Sequence, residues 1–371
     1  MYEARGLLDH VRMNRLANVR AIQGVACTGS MALRSMTTGQ LTRFTRSRPA
    51  PRLPGFEPVD IRAESERMAS IGFLLRVLRQ RLIGQERSCP YCRCANAILV
   101  GRKKIVLELQ RCDACGLMYR WPKDTVRFNH RFYQWRYRQG MTTGMPDRES
   151  LEKCKKTMFR GTEQDFADKI AVLKSLMPWG RVLDYGCSWG YGTLQLVAAG
   201  YDAFGFEISQ PRAAFGRARL GVKIISSEIA LDGFAQSFDA VFASHVLEHL
   251  PAPSAVFDRL AKLLKPNGLL LAFVPNCDGD EARRLGVNWG PMCCEKHPLA
   301  LDPQFLERIL PRHGFQVSTF SNPYAFDSIK DALNHPGATR DLHGDELMIC
   351  ARKITGQRNT SGSAENPALG G

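Results

Sequence analysis

Four cysteines stand in two pairs, Cys89 with Cys92 and Cys112 with Cys115, a spacing of C-x2-C-x19-C-x2-C. Two thiolate knuckles of this kind can wrap tetrahedrally around one zinc ion. All four ligand positions are then filled by protein, so the expected role of the metal is structural rather than catalytic. The stretches ILVG and KKIVLEL between the pairs are strand-like, and a ribbon so small needs a metal to hold it together. Unrelated buried thiols are the other reading of these residues. Cys94 is a spare that could exchange with Cys92. The rest of the twelve cysteines are scattered, a pattern that fits a reducing cytosol better than a secreted disulfide framework.

A second kind of chemistry is offered by RVLDYGCSWGYG, residues 181–192, an apolar run that ends in Asp184 and turns on Gly186, Gly190 and Gly192. Glycine admits a positive φ and a close approach of the backbone to a ligand. The helix beginning near Gly190 would present free N–H groups that favour a carboxylate. The G-x3-G-x-G spacing is not the G-x-G-x2-G of a dinucleotide site. Glu207 ends the next strand-like run, 23 residues after Asp184. There a carboxylate can accept hydrogen bonds from both hydroxyls of a ribose. A ligand with an amino-acid head and a nucleoside tail, such as S-adenosylmethionine, fits these groups, with Asp184 near its ammonium, directly or through water. The plainer reading is a tight strand–helix turn with a solvated Glu207.

A third group is His245, Glu248 and His249 in SHVLEH. His245 is placed to act as a general base if the acceptor holds a proton tightly, as a hydroxyl does. The histidines could instead cap and orient a helix, or the trio could ligate a divalent metal. Trp289 and His297 are candidates to line an acceptor site. Cys293 and Cys294, being adjacent, suit neither a chelate nor an ordinary disulfide.

These residues need a frame. Strand-like segments (RVLDYG, DAFGFEI, VKIIS, FDAVFAS, GLLLAFVP) alternate with helical ones at 190–199, 209–219, 253–264 and 303–312, and FQVSTF and ELMICAR close the series. Such alternation predicts an α/β fold, a doubly wound parallel sheet with helices on both faces.

The turn, the Glu207 tip, SFDAVFASHVLEHLPAP and LLKPNGLLLAFVPN together resemble class I S-adenosylmethionine-dependent methyltransferases, in the branch whose fourth strand runs into H-V-L-E-H. The resemblance spans about residues 160–353. It implies a Rossmann-like seven-stranded sheet with a reversed last strand, a place that ELMICAR would fill. It further implies that Asp184, Gly186 and Gly190 form the cofactor loop and Glu207 is the ribose acid. Ser227 and Glu228 would border the adenine, with Ser244 and His245 beside the methyl group. Cys187 and Trp189 depart from the family's smaller or polar loop residues. Similar H-V-L-E-H segments bind metal in some quinone O-methyltransferases. A cysteine ribbon before the domain also resembles an arrangement in many bacterial methyltransferases of this branch, in some sugar methyltransferases and in one type of ribosomal-RNA methyltransferase. The RNA type usually carries a histidine in its second knuckle, where this chain has cysteine.

Charge divides the chain. Residues 1–140 hold 26 Lys/Arg against 10 Asp/Glu, whereas residues 141–371 hold 25 against 26. A basic half could meet nucleic acid, anionic lipid or an acidic substrate, or be only a solvated face and arm. The expected organisation is a disordered basic arm over 1–62, an amphipathic helix over 63–86, the zinc ribbon over 87–122 and an aromatic connector over 123–160. The methyltransferase domain follows over 161–353 and a disordered tail over 354–371. The arm fits either a targeting peptide or a segment added by an upstream start codon. No run is long and apolar enough for a membrane span, and a cytoplasmic location is expected. The expected activity is S-adenosylmethionine-dependent methylation of a small-molecule, sugar or lipid-linked acceptor. An RNA methyltransferase docking through the basic half and a non-catalytic protein that keeps the cofactor fold are the alternatives.

Overall fold

The computed structural model describes residues 61–135, 143–324, 329 and 340–354. The expected arm and tail lie, apart from their inner ends, outside those residues.

The first elements are α1 (Ile61–Leu82), β1 (Ala97–Lys103), β2 (Leu107–Cys112) and β3 (Met118–Trp121). Short helices α2 (Val126–Trp135), α3 (Arg148–Lys156) and α4 (Ala167–Leu176) lead into the alternating part. There β4 (Arg181–Tyr185), α5 (Tyr191–Ala198), β5 (Asp202–Phe206), α6 (Gln210–Phe215), β6 (Ile224–Ile225) and α7 (Glu228–Asp232) follow one another. Next come β7 (Phe238–Ser244), α8 (Pro253–Leu263), β8 (Leu264–Pro275), α9 (Asp280–Leu285), β9 (Leu299–Ala300), α10 (Pro303–Ile309), β10 (Phe315–Ser321) and β11 (Glu346–Lys353).

Seven strands form one sheet in the order β10-β11-β8-β7-β4-β5-β6. β4, β5, β6, β7 and β8 pair in parallel, and β11 runs antiparallel to both β8 and β10. This is the expected Rossmann-like sheet with its reversed strand. Residues 268–275 of β8 are all buried, as a strand covered on both faces requires. Alternate side chains serve opposite cores. Leu183, Val241 and Leu270 meet Phe257 and Leu260 of α8 on one face, whereas Val182, Phe242 and Phe273 meet Ile170 and Leu173 of α4 on the other. Local signals end the helices where expected: Asp302 caps α10 by accepting from the Phe305 N–H at 2.7 Å, with Pro303 in the first turn.

The cysteine unit is not set apart as a domain of its own. Its sheet has the order β1-β2-β3-β9, and β9 comes from the C-terminal part of the chain. Met118 pairs with Ala300 and Tyr119 with Leu299. Cys89, Cys112, Cys115 and Tyr119 share one buried cluster with Leu299, Phe305 and Leu310. On the other face of this sheet Phe73 and Val77 of α1 pack with Leu107, Leu109, Trp289 and Met292.

Candidate active site

The turn after β4 is tight for reasons visible atom by atom. Gly186 has φ +79°, and a Cβ there would lie 2.5 Å from Val246 Cγ2. The N–H groups of Gly186 and Cys187 both donate to the Phe206 carbonyl, at 2.8 and 3.0 Å, tying the loop to the end of β5. Gly190, φ +87°, precedes α5, and a Cβ on it would meet Val222 at 2.8 Å.

A cavity of about 340 Å³ opens beyond these strand ends. Gly186, Glu207, Glu228, Ser244 and His245 all line it, together with Tyr133, Thr143, His249 and His297. Glu207 is buried and accepts the Ser209 N–H at 2.7 Å. Burial pushes its carboxyl up to about 7, against the Ser209 bond and the Arg212 charge. Asp184, Gly190 and Ser227 are not among the lining residues. Asp184 is buried and accepts the Thr193 hydroxyl at 2.8 Å, and burial raises it to about 7. Ser227 caps α7 by accepting the Ala230 N–H, and Glu228 pairs with Arg259 at 3.1 Å. Trp189, the bulky loop residue, is buried against Phe159 and Tyr191 and its indole donates to the Gly144 carbonyl.

At the other end of the cavity the tip of β7 turns sharply: His245 has φ +55°. Its Nε2 lies 2.7 Å from Glu346 Oε1 and its Nδ1 3.5 Å from Glu248 Oε1. The cleft walls desolvate this ring, but the nearby Glu248 carboxylate and the hydrogen bond to Glu346 override that and raise it to about 9. Glu248 is buried, yet the surrounding histidines, His249 and His245, hold it down to about 2. Burial lowers His249 to about 4, so its ring is neutral near pH 7. His249 Nδ1 is 2.7 Å from the Lys296 carbonyl and His297 Nδ1 is 2.7 Å from that of Pro291. A carbonyl can only accept, so each Nδ1 carries a proton.

Residues 157–319 match a family model described as a methyltransferase domain. Over these residues the chain is similar to methyltransferase domains. It is similar to proteins named ubiquinone biosynthesis O-methyltransferase. That of Dechloromonas aromatica is 33% identical over 95 residues, 24% of this chain and 41% of the relative. The mitochondrial one of Mus musculus is 28% identical over 166 residues, 39% of this chain and 45% of the relative. The chain thus spans under half the length of these relatives. Among solved structures it resembles a SAM-dependent methyltransferase from Archaeoglobus fulgidus (TM-score 0.38, 20% identity, 56% of this chain and 100% of the other). Another, from Mesorhizobium loti, has a TM-score of 0.37 and 17% identity over 51% of this chain and 100% of the other.

Among the described residues, two clusters have the donor atoms a metal ion needs. Cys89, Cys92, Cys112 and Cys115 place four sulfurs within 4.8 Å of one another. Cys89 and Cys115 are 3.5 Å apart, as are Cys92 and Cys112. Tetrahedral zinc at about 2.3 Å from each sulfur spaces them by roughly 3.8 Å. Arg93 and Gly116, each just after a knuckle, are in the left-handed region, at φ 64° and 74°. The hydrogen bond from Cys115 lowers Cys89 to about 5. The second cluster joins Glu248, His249 and His297, again with one ligand atom each within 4.8 Å. Both Glu248 oxygens are buried without a hydrogen-bond partner, the state expected of a carboxylate that awaits a cation. The trio considered from the sequence contained His245, which turns instead to Glu346. His297 takes the place from a loop 49 residues beyond Glu248 and on a different element, a distance that spacing could not bridge. Trp289 is buried in the core under α1.

Proposed function

We propose that this protein transfers the methyl group of S-adenosylmethionine to a hydroxyl of a small molecule. The cavity that runs from Glu207 and Glu228 to His245, His249 and His297 carries the reading. In it Glu207 accepts from the ribose hydroxyls, Glu228 borders the base and Gly186 leaves the backbone room to approach the cofactor. Asp184 acts from behind the loop, by holding Thr193 and the start of α5. Ser244 and His245 stand where the sulfonium methyl meets the acceptor. Displacement at a sulfonium needs little beyond alignment, and orientation can supply as much as roughly 7–11 kcal/mol.

Two facts favour oxygen as the acceptor atom. The similar curated proteins are named for O-methyl transfer, and the far end of the cavity gathers groups suited to a hydroxyl. Glu248, His249 and His297 fit a divalent cation, on the ground of the orphaned Glu248 oxygens. Such a cation would supply Lewis-acid polarisation of the hydroxyl and ease the loss of its proton. The chain's own part is to keep Glu248 ionised, to keep His249 neutral with Nε2 as its acceptor, and to wall off water with Tyr133 and Leu250. The four cysteines are assigned to structural zinc in the same reading.

The test incubates the protein with S-adenosylmethionine and a panel of phenols, catechols, amines and RNA, with and without EDTA, and weighs the products. A catechol such as 3,4-dihydroxybenzoate should gain one methyl, and Glu248→Gln should cut the rate at least tenfold. Methylation of amines or RNA with no hydroxyl product contradicts the reading.

A further inference from the structure

Glu346 opens β11, which β8 separates from β7 in the sheet, yet its carboxylate reaches His245 at the cleft. Oε1 is 2.7 Å from His245 Nε2 and takes the Lys169 ammonium at 2.5 Å. Oε2 accepts the Tyr324 hydroxyl at 2.7 Å. Lys169, from α4, also donates to the Ser244 hydroxyl at 3.0 Å, and its ammonium lies 4.7 Å from the centre of the Phe273 ring. The Glu346 backbone is fixed as well: its N–H donates to Asn322 Oδ1 at 2.8 Å, and its carbonyl accepts the Asn322 N–H at 3.1 Å. Four separate parts of the chain therefore converge on one carboxylate beside the cavity: α4, the tip of β7, the segment after β10, and β11.

His245 needs such support. It is a non-glycine residue at φ +55°, a conformation that persists only where the surroundings over-determine it. Its backbone N–H is held by the Phe273 carbonyl at 2.8 Å. Its side chain remains 46% exposed, on the cavity side. The remaining rotational freedom of the ring is removed by Glu346 on one nitrogen and by Glu248 near the other. Lys169 and Tyr324 alone would satisfy Glu346 if its purpose were only to anchor β11. The further bond to His245 is the one that faces the cleft.

We infer that Glu346 is a positioning residue that fixes the His245 ring at the acceptor end of the cleft, with Lys169 and Tyr324 holding Glu346 in place. The inference deepens the methyl-transfer reading and rests on it for its consequence in turnover. His245 then acts as an oriented wall and hydrogen-bonding partner for the acceptor. A role as free base would require the Glu346 bond to break first.

Two measurements test this. In histidine-selective proton–nitrogen NMR of the whole chain, the His245 Nε2–H held by Glu346 should give a low-field, slowly exchanging resonance. It should vanish in His245→Gln, which assigns it, and in Glu346→Ala. Its persistence in Glu346→Ala overturns the inference. Should that variant fail to fold, Glu346→Gln, of equal size but uncharged, must shift the resonance upfield, and an unmoved resonance overturns the inference as well. The second measurement is turnover on 3,4-dihydroxybenzoate. Glu346→Ala should lower kcat at least tenfold with S-adenosylmethionine affinity unchanged within twofold, and adding it to His245→Ala should cost nothing more. Losses that multiply in the double variant contradict action through His245. If no probe is methylated, the function reading fails by itself while the NMR signal still judges Glu346.

Discussion

At the scale of single residues, Glu207 makes the sharpest prediction. Its carboxyl is raised to about 7 by burial, whereas the ribose hydroxyls of the proposed cofactor would bind its ionised form. The free cleft therefore holds a proton below pH 7 that the occupied cleft gives up, and cofactor affinity should rise from pH 6 to 8. Calorimetry in two buffers of different ionisation enthalpy should detect the released proton. Glu207→Gln should flatten the pH profile, and any slope that survives would belong to Asp184, raised likewise to about 7. Gly186 offers a stability test. Its φ of +79° and the nearness of Val246 should make Gly186→Ala lose about 2–4 kcal/mol in denaturant unfolding. Glu207 was legible in the sequence because a strand tip leaves little choice of where an acid points. Asp184 was less so: spacing places it at the end of β4 but not which way it turns, and it turns to Thr193. Ser227 is the kind of residue that caps helices, and here it does so.

Elements were read well wherever the pattern was local. The β/α alternation and the two cysteine knuckles follow from runs of a few residues, whereas the reversed β11 was implied by the family resemblance. β9 did not follow, because two residues, Leu299 and Ala300, carry no periodicity, and their partners in β3 lie far upstream. Glu346 was missed for the same reason: in sequence it is only the polar start of an apolar strand. The β3–β9 pairing has a consequence. The Arg120 N–H donates to the Pro298 carbonyl at 2.9 Å, next to His297, so the ribbon props the loop that bears His297. Cys112→Ser should lower metal content from about one zinc per chain, as read by elemental analysis. It should also raise KM for a catechol probe several-fold, while cofactor affinity changes less than threefold.

For the described residues as a whole, the cysteine unit and the seven-stranded sheet share a core instead of standing side by side. Tyr91 packs edge-on to Phe305 at 5.7 Å and its hydroxyl lies 3.0 Å from His313 Nε2. Arg111 pairs with the buried Asp302 at 3.1 Å. Charge and composition draw a boundary near residue 140 that packing does not respect, since composition is blind to long-range contact. Stripping the zinc proposed for the four cysteines with a strong chelator should therefore shift the one calorimetric melting transition downward by several degrees, instead of removing a small early transition. The central claim concerns the cleft itself, and titration of S-adenosylmethionine into the wild-type chain and Glu207→Ala tests it most directly. One molecule should bind per wild-type chain, and the variant should bind roughly ten- to hundredfold more weakly. No binding to the wild type, or equal affinity in the two proteins, would contradict the account.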